Sequence, residues 1–345
     1  DYTDSTCPKL LLEPQRTNLM TFSEFFDNAD WALINATITP NADISPDGYT
    51  NADRIYDDAA SAQHRVSQNI SVVSGTTYTF SVFAKKGSLR YCYLLTNAAG
   101  SSERYYFDLQ DGVSITAGGK IEDYGSGWYR ISAQVTADAT GNCLFTFNLN
   151  DSPSGTTYSG TGTGYHMIYG YQVEAGSYIT SYIPTIAATT KGADSCSKTG
   201  ISSLIGSVGT LFVQMKAFEN GGPSRRITLS DGTTSNRVSI EYDEIASRIR
   251  AFIVGGGTSS SNLDASGYNQ TDLHKIAVVY NNATLKIFID GVLANTIAAT
   301  MVPTGLSRID TYTGATNSNY LFAELNQLLV FPTALTDAQC IELTA

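Results

Sequence analysis

The sequence predicts an all-β protein made of two antiparallel β-sandwich (jelly-roll) domains in tandem, followed by a short C-terminal helix. Short runs of alternating apolar and polar residues, separated by turn residues, recur along the 345 residues. Charged residues make up only 15% of the chain, whereas 21 Tyr and 30 Gly suit twisted sheets with tight turns. A polar stretch of small residues at 186–209 separates two series of such runs.

The first series predicts a domain over residues 19–185, preceded by an opening segment at 1–18. Residues 77–86 alternate cleanly, as expected of a half-buried antiparallel strand. The apolar face of this strand is formed by Tyr78, Phe80, Val82 and Ala84. Further strands are predicted at 67–73, 104–110, 128–137, 142–150 and 165–174.

The second series predicts a domain over residues 210–345, with 186–209 as a linker. Residues 274–297 form two hairpins, because Asn281-Asn282 and Asp290-Gly291 tolerate the positive φ of tight turns. Residues 334–343 form the helix, since Thr336 and Gln339 fit a capping box. The other strands of this domain are predicted at 210–218, 225–231, 236–242, 248–255 and 323–331.

The charge balance excludes two classes of partner. The net charge is −11, and the basic pairs at 85–86 and 225–226 are interpreted as ordinary solvated positions. A nucleic-acid binder needs a basic face, so we expect no nucleic-acid partner. The same acidity disfavours anionic membrane surfaces, and no run of 18 apolar residues predicts membrane insertion. The chain begins in a strand-like run without Met, so we expect a piece of a longer protein.

Two segments that bracket the first domain carry a resemblance to a known module. They read LLLEPQRTN at 10–18 and QVEAGSYITSYIPT at 172–185. Together they resemble the opening and closing segments of a β-sandwich module found in bacteriophage and prophage tail and fibre proteins. The resemblance implies a virion or extracellular protein, often homotrimeric, with other virion proteins as partners. We expect the two segments to meet in space.

Each half of the chain also resembles a fold family that includes sugar-binding proteins. GTTYTFSVFAKKG at 75–87 and GWYRISAQVTA at 127–137 resemble the jelly rolls of carbohydrate-binding modules. LHKIAVVYNNATLKIFIDGVLA at 273–294 and LNQLLVFPTALTDAQ at 325–339 resemble concanavalin A-like (laminin-G-like) jelly rolls. Such patterns identify a fold well and a function poorly.

The five cysteines predict no zinc site, because none has CxxC or Cys/His spacing. Cys92, Cys143 and Cys340 are interpreted as core residues. Cys7 and Cys196 lie just outside the bracketing segments, and they could pair if those segments meet. A disulfide closing so long a loop would stabilise the fold by about 4–5 kcal/mol, whereas two free thiols are the alternative.

Catalytic patterns are weak. A concanavalin A-like glycosidase carries carboxylates at i, i+2 and i+4, which place them on one strand face. The nearest match is Glu241 with Asp243, but Glu244 falls on the other face. We interpret this segment as a solvated strand end and expect no enzyme activity. The three histidines lie far apart, and no GxSxG elbow is present.

Sugar binding is the leading hypothesis, because aromatic rings stack on sugar C–H patches while Arg, Asn and Tyr donate and accept hydrogen bonds. Candidates in the first domain are Arg90, Tyr91, Tyr93, Arg104, Tyr105 and Tyr106. Candidates in the second domain are Asn262, Tyr312, Asn317, Asn319 and Tyr320. The alternatives are core packing for the tyrosines of the first domain and plain solvated loops in the second.

A structural calcium ion is the one cofactor that the resemblance implies. Calcium needs oxygen ligands, and Glu174 could meet Glu13 or Asn18 when the ends of the first domain close. An ion pair between Glu13 and Arg16 is the alternative for these residues.

The sequence therefore predicts a non-catalytic phage-particle protein, a fibre, spike or decoration component, that binds cell-surface glycan. Homotrimerisation is expected by analogy, since repeated weak sugar contacts gain from avidity. Two alternatives stay open: a structural or assembly module of the virion without a ligand, and a polysaccharide-degrading glycosidase or lyase.

Overall fold

A computed structural model describes residues 9–298, 301–314 and 318–345, with the backbone alone described at 258–261. The chain divides into two compact units. The first sandwich is Arg16–Lys191, and the second sandwich combines the described residues up to Gln15 with the described residues from Gly192 to Ala345. All sheet pairings in the described residues are antiparallel, so the predicted all-β class with two sandwiches and a short C-terminal helix is confirmed.

The first half of the chain forms the strands β1 (Leu10–Leu12), β2 (Arg16–Asn18), β3 (Ala32–Ile34), β4 (Ala36–Ile44), β5 (Thr50–Asp57), β6 (Ser61–Ala62), β7 (His64–Val72), β8 (Thr77–Lys86), β9 (Tyr91–Ala99), β10 (Ser101–Asp108), β11 (Val113–Ser114), β12 (Lys120–Asp123), β13 (Trp128–Thr136), β14 (Gly141–Asn150), β15 (Tyr158–Ser159), β16 (Tyr165–Ala175) and β17 (Thr189–Lys191). The rest forms β18 (Ser197–Thr199), β19 (Gly209–Ala217), β20 (Arg225–Ser230), β21 (Arg237–Tyr242), β22 (Arg248–Gly255), β23 (Thr258–Ser266), β24 (His274–Tyr280), β25 (Thr284–Ile289), β26 (Val292–Ala298), β27 (Arg308–Asp310), β28 (Ala323–Phe331) and the helix α1 (Asp337–Thr344).

Two six-stranded sheets form the first sandwich. Sheet I has the order β11-β10-β9-β14-β7-β3, and sheet II has the order β12-β13-β8-β16-β5-β4. The alternating strand at 77–86 is β8, and its predicted apolar face lies in the core as expected. Phe80 packs edge-on against Phe145 of the opposite sheet, with ring centroids 5.3 Å apart. Burial of these alternate side chains stabilises the sandwich.

Two further six-stranded sheets form the second sandwich. Sheet III has the order β1-β28-β19-β24-β25-β26, and sheet IV has the order β18-β27-β20-β21-β22-β23. Leu211 and Val213 of β19 point into the core, whereas Phe212 points outward into a second cluster with Phe288 and Cys340 of α1. The helix therefore covers sheet III, which explains why its central strands are apolar on both faces.

The local signals at the C-terminal end are confirmed. Thr336 Oγ1 accepts a hydrogen bond from the Gln339 backbone N–H at 3.3 Å, and Gln339 Oε1 accepts one from the Thr336 N–H at 2.9 Å. Asp290 and Gly291 have φ of 50° and 79°, as the predicted hairpin turn requires. The other predicted turn also joins two paired strands, but neither Asn281 nor Asn282 has a positive φ. No helix in the described part of the chain is long and apolar enough to cross a membrane.

The bracketing segments meet within the first sandwich, as expected. β2 pairs with β17, and Asn18 makes four side-chain hydrogen bonds. Its amide NH₂ donates to the carbonyls of Tyr171 and Ile183 at 3.2 and 2.9 Å. Its Oδ1 accepts from the backbone N–H groups of Met20 and Val173 at 3.1 Å each. Asn18 is therefore fully satisfied and fastens the opening strand to the closing segment.

The opening segment at 1–18 and the linker at 186–209 differ from the expected layout. β1 pairs with β28 in the second sandwich, whereas β2 belongs to the first. Pro14 separates the two strands and has no N–H with which to continue a ladder. The linker range contains β17 and β18, which pair with β2 and β27 in different units. Short edge pairings thus divide both ranges between the sandwiches.

Candidate functional site

Sheet IV carries a polar face on the side away from the core. Ile227, Ile240 and Ala251 point into the core, so the residues that alternate with them point outward. The outward side chains, here called the polar face, are Arg226, Thr228, Ser230, Arg237, Ser239, Glu241, Arg248, Arg250, Phe252, Asn262, Asp264, Arg308 and Asp310. The polar face thus combines charged groups, hydroxyls, an amide and an aromatic ring.

A ladder of alternating charges crosses the polar face. Arg226, Glu241, Arg250 and Asp264 lie directly opposite one another on β20, β21, β22 and β23. Arg226 Nε donates to Glu241 Oε2, and Arg250 Nη1 lies 3.5 Å from Glu241 Oε1. Arg250 Nε donates to Asp264 Oδ1 at 2.7 Å. Opposite charges on neighbouring strands hold each guanidinium in place.

The interpretation of the Glu241–Asp243 segment as a solvated strand end is wrong. Both side chains are fully buried, because guanidiniums cover them. Asp243 lies 2.7 Å from Arg248 Nη2 and 2.8 Å from Arg250 Nη2. Burial acts to raise the pKa of Asp243, but the Ile245 backbone N–H and the two arginines outweigh it and hold the pKa below its usual value. Glu241 and Asp243 are therefore engaged in ion pairs with arginines.

Beside the ladder, the polar face carries hydroxyls and a ring. Thr228 Oγ1 and Ser239 Oγ lie 3.0 Å apart and are buried. The Phe252 ring has the guanidinium carbons of Arg226 and Arg237 at 4.8 and 5.2 Å from its centroid. Cation–π contact of this kind orients a guanidinium while its N–H groups stay available to other partners.

Four of the five sequence-predicted residues of the second domain lie on or beside the polar face. Asn262 is opposite Phe252 and is exposed. Tyr312 is buried, and its hydroxyl accepts a hydrogen bond from Arg308 Nη2 at 2.9 Å. Tyr320 packs at 5.9 Å from the Tyr312 ring, and Asn319 accepts the Arg226 backbone N–H through its carbonyl. The fifth candidate, Asn317, lies outside the described residues.

Sequence reasoning missed the arginines of the polar face. The pair at 225–226 was expected to be solvated, yet Arg225 is buried and donates to the Gly221 carbonyl and Gln270 Oε1 at 2.6 Å each. The signal that could have found the ladder is opposite charge on the polar positions of successive strands. It becomes readable only when the register of these strands is known.

The aromatic candidates of the first domain divide between the two faces of sheet I. Tyr91, Tyr93, Arg104 and Tyr106 share the outward face, whereas Tyr105 points into the core and packs on Phe80. The Tyr93 and Tyr106 rings are 5.0 Å apart. Their hydroxyls donate to the carbonyls of Thr156 and Gly155 at 3.3 and 2.7 Å. Residues 151–157 therefore fold over this pair, and Tyr93 is fully buried.

Arg90 is also committed to contacts within the first sandwich. Its Nη2 lies 2.6 Å from Asp108 Oδ2 and 2.5 Å from Asp111 Oδ2. The same guanidinium lies 5.3 Å from the Tyr91 ring centroid. These contacts stabilise the turn between β10 and β11, so the role of Arg90 in this structure is structural.

A cleft on the first sandwich was not predicted from the sequence. It has a volume of about 370 Å³ and is lined by Asp43, Lys85, Tyr124 and Trp128 among others. Lys85 Nζ lies 2.9 Å from Asp43 Oδ2, and Tyr124 is 42% exposed. Trp128 is buried, as expected, and donates its indole N–H to the Ile44 carbonyl. The cleft is within the size range of small-ligand sites.

The predicted calcium ligands belong to different units, with Glu13 in the second sandwich and Asn18 and Glu174 in the first. Glu174 accepts hydrogen bonds from the Thr180 N–H and hydroxyl at 2.8 and 2.7 Å. Arg16 Nε lies 3.6 Å from Glu174 Oε2, so Glu174 is an ion-pair partner of Arg16. The ion pair between Glu13 and Arg16 stays a prediction. Across the described residues, no cluster of three or more His, Cys, Asp or Glu side chains could hold a metal ion. The calcium ion stays a prediction.

The structure tests the predicted core positions of three cysteines but not the predicted disulfide. Cys92 and Cys340 are fully buried in core clusters, as predicted, and Cys143 packs half-buried against the core. Cys196 is exposed, and Cys7 lies outside the described residues. Their pairing stays a prediction.

Comparison with known proteins bears on the second half of the chain. Residues 209–340 match a laminin-G family model described as the concanavalin A-like lectin/glucanases superfamily. No curated protein matches the sequence.

Three solved structures illustrate the distant likenesses. The CBM40 of Ruminococcus gnavus IT-sialidase bound to α2,3-sialyllactose is 15% identical over 41% of this chain and 85% of that chain, with a TM-score of 0.36. The SAP-like pentraxin of Limulus polyphemus is 12% identical over 39% and 69%, with a TM-score of 0.33. Sheep galectin-11 is 7% identical over 40% and 96%, with a TM-score of 0.29. These likenesses are too distant to support an argument about function.

The assignment of the second half of the chain therefore rests on the family match. It coincides with β19–β28 and the first turn of α1, which supply ten of the twelve strands of sheets III and IV. Residues 209–340 are a concanavalin A-like lectin/laminin-G domain.

Proposed function

We propose that this protein binds a cell-surface glycan through the polar face of its second sandwich. The observation that carries the proposal is the charge ladder with its neighbouring hydroxyls and ring, set on one sheet of a lectin-type domain. From β27 to β23 the face crosses four strand spacings, or about 19 Å. That width suits an oligosaccharide of several rings.

The chemistry of the polar face fits sugar hydroxyls. Arginine donates from a planar fork and carboxylates accept, so adjacent sugar hydroxyls find both kinds of partner. Because the ladder already fixes the guanidiniums, binding costs little further side-chain ordering. The arginine side chains at 226, 248, 250 and 308 keep between 16% and 23% of their surface exposed, so their N–H groups can reach a bound ligand.

A glycan array probed with the full chain tests this proposal. Asn262→Trp would place a large ring over the polar face from an exposed strand position, and we expect it to abolish binding. Thr296→Trp is the matched control, since Thr296 is exposed on β26 of sheet III. No binding by the unmodified chain, or equal loss in both variants, would refute the polar face as the glycan site.

We also propose that the protein is not an enzyme. Glu241 and Asp243, the paired carboxylates closest to a glycosidase pattern, are each bound by two arginines. A general acid needs a carboxyl that carries a proton near the working pH, whereas the arginines beside Asp243 help to hold its pKa below the usual value. Release of reducing ends from a polysaccharide panel, lost on Glu241→Gln, would establish the glycosidase alternative instead.

The particle context rests on the resemblance of the segments at 10–18 and 172–185 to phage tail and fibre modules. We propose that the protein is a homotrimeric fibre, spike or decoration component of a virion, with other virion proteins as partners. Light scattering of the full chain tests the trimer. Mass spectrometry of purified particles tests the location. If a phage expresses the chain but its purified particles lack it, the proposed location in the virion is wrong.

A structural role in the particle is the second candidate. An open apolar concavity of about 500 Å³ on the first sandwich favours it. Phe25 and Ile186 line this concavity and are 47% and 67% exposed. Paired Phe25→Ser and Ile186→Ser substitutions that dissociate the oligomer without affecting glycan binding would support this role.

A further inference from the structure

Arg237 differs from the other arginines of the polar face. Arg226, Arg248, Arg250 and Arg308 each form an ion pair with a carboxylate on the same face. Among the described residues, Arg237 forms none, and its Nε and Nη1 are buried without a hydrogen-bond partner. A buried guanidinium N–H without an acceptor is costly, because it has lost water and gained nothing in return.

The surroundings of Arg237 favour an anion. Its guanidinium carbon lies 5.2 Å from the Phe252 ring centroid, and that of Arg226 lies 4.8 Å from the same centroid. Burial and the charge of Arg226 lower the pKa of Arg237, against the opposing effect of Glu241. Glu241 is itself taken up by Arg226 and Arg250. Positive charge at this end of the face is therefore incompletely balanced.

Asp231, the carboxylate in the turn of the same hairpin, does not balance the charge of Arg237. Asp231 accepts hydrogen bonds from Thr233 and from the Asn236 side chain, at 2.8 and 2.9 Å. Ser230 and Val254, the cross-strand neighbours of Arg237, carry no charge. An acceptor for Arg237 must therefore come from outside these residues.

We propose that Arg237 forms a subsite for the carboxylate or sulfate group of an acidic glycan. This subsite rests on the glycan-binding function proposed above. Carboxylate and sulfate oxygens accept hydrogen bonds from a guanidinium, and the Nε and Nη1 of Arg237 carry N–H groups that no described protein atom accepts. Phe252 holds the guanidinium plane, and Arg226 adds positive potential beside it. The subsite selects acidic over neutral sugars on a chain whose net charge of −11 otherwise repels anions.

Two measurements on the full chain test the subsite. The first compares binding to trigalacturonic acid and other acidic glycans with binding to their neutral, methyl-esterified or desulfated counterparts. We expect at least tenfold preference for the acidic members, loss of that preference in Arg237→Gln, and an intermediate value in Arg237→Lys, which keeps the charge without the fork. Lys120→Gln removes the same charge from an exposed strand position of the first sandwich and should change nothing.

The second measurement separates the anion site from glycan binding. Inorganic sulfate, compared with chloride at equal ionic strength, should raise the melting temperature of the unmodified chain and of Lys120→Gln more than that of Arg237→Gln. If sulfate acts in this way while no glycan binds, the anion site stands and the proposed function fails. Acidic and neutral glycans bound equally, or a sulfate effect equal in all three proteins, would overturn the subsite.

Discussion

Glu241 and Arg250 face each other across β21 and β22, with Arg250 Nη1 3.5 Å from Glu241 Oε1. Arg226 closes on the other carboxylate oxygen, so a fully buried carboxylate lies between two guanidiniums. The central position of Glu241 makes the whole ladder depend on it, because its loss leaves two arginines facing each other without an intervening charge.

We therefore expect Glu241→Ala to lower the free energy of unfolding by about 3–5 kcal/mol, as for other broken buried ion pairs. Asp264→Ala is the matched control at the exposed end of the ladder, where the carboxylate side chain is 41% exposed. It should cost less than about 1 kcal/mol. Urea unfolding of both variants measures the difference, and equal costs would show that the ladder is not held by its buried carboxylate.

The second prediction concerns Asn18, which fastens the opening strand of the first sandwich. Asn18→Ala leaves two carbonyls and two backbone N–H groups without their partners, so we expect a loss of roughly 3 kcal/mol. Thr17→Ala removes an exposed hydroxyl contact to Thr190 and should cost less than about 0.5 kcal/mol. Chemical unfolding followed by a probe in each sandwich measures the effect, and a loss confined to the second sandwich would contradict the assignment.

Local pattern predicted strands well and pairing partners poorly. The alternation at 77–86 identified the core face of β8, because side-chain parity is a local property. By contrast, the strand at 10–12 joins β28 of the second sandwich, and nothing in three residues specifies so remote a partner. The predicted division of the chain therefore differs from the structure where a short edge strand pairs with a distant part of the sequence.

The candidate site shows the same contrast between local side-chain parity, which the sequence predicts, and strand pairing, which it does not. Tyr105 and Tyr106 are consecutive on β10, so parity alone excluded that both face outward, but only the fold shows which one does. The charge ladder needs the register of β20 to β23 before its members become neighbours. Residues whose role depends on register were therefore the ones that sequence reasoning missed.

The third prediction concerns pH and His166, which is fully buried. Burial lowers the pKa of His166 to about 4, although its hydrogen bond to the Tyr91 carbonyl opposes this. The unfolded chain binds a proton near pH 6.5, where the folded chain does not, so stability falls as pH drops from 6.5 toward 4. The full effect is about 3 kcal/mol.

His166→Gln isolates this contribution, because glutamine offers an acceptor and a donor without titrating. The difference in unfolding free energy between the unmodified chain and the variant should shrink as pH falls from 6.5 to 4. Asp53, whose pKa burial raises to about 6, acts in the opposite direction but is common to both proteins. A difference that stays constant over this range would show that His166 does not titrate as described.

The fourth prediction uses the two consecutive tyrosines of β10 as a matched pair. Tyr106 donates to the Gly155 carbonyl at 2.7 Å, whereas Tyr105 donates to the Gln134 carbonyl at 2.8 Å on the other face of the sheet. Because Tyr106 holds residues 151–157 over the Tyr93 ring, Tyr106→Phe should weaken that cover by about 1 kcal/mol. Amide hydrogen exchange at 151–157 should then quicken about fivefold, since local opening governs exchange. Tyr105→Phe should leave exchange at 151–157 unchanged, and equal exchange in both variants would mean that the Tyr106 hydroxyl does not fasten this segment.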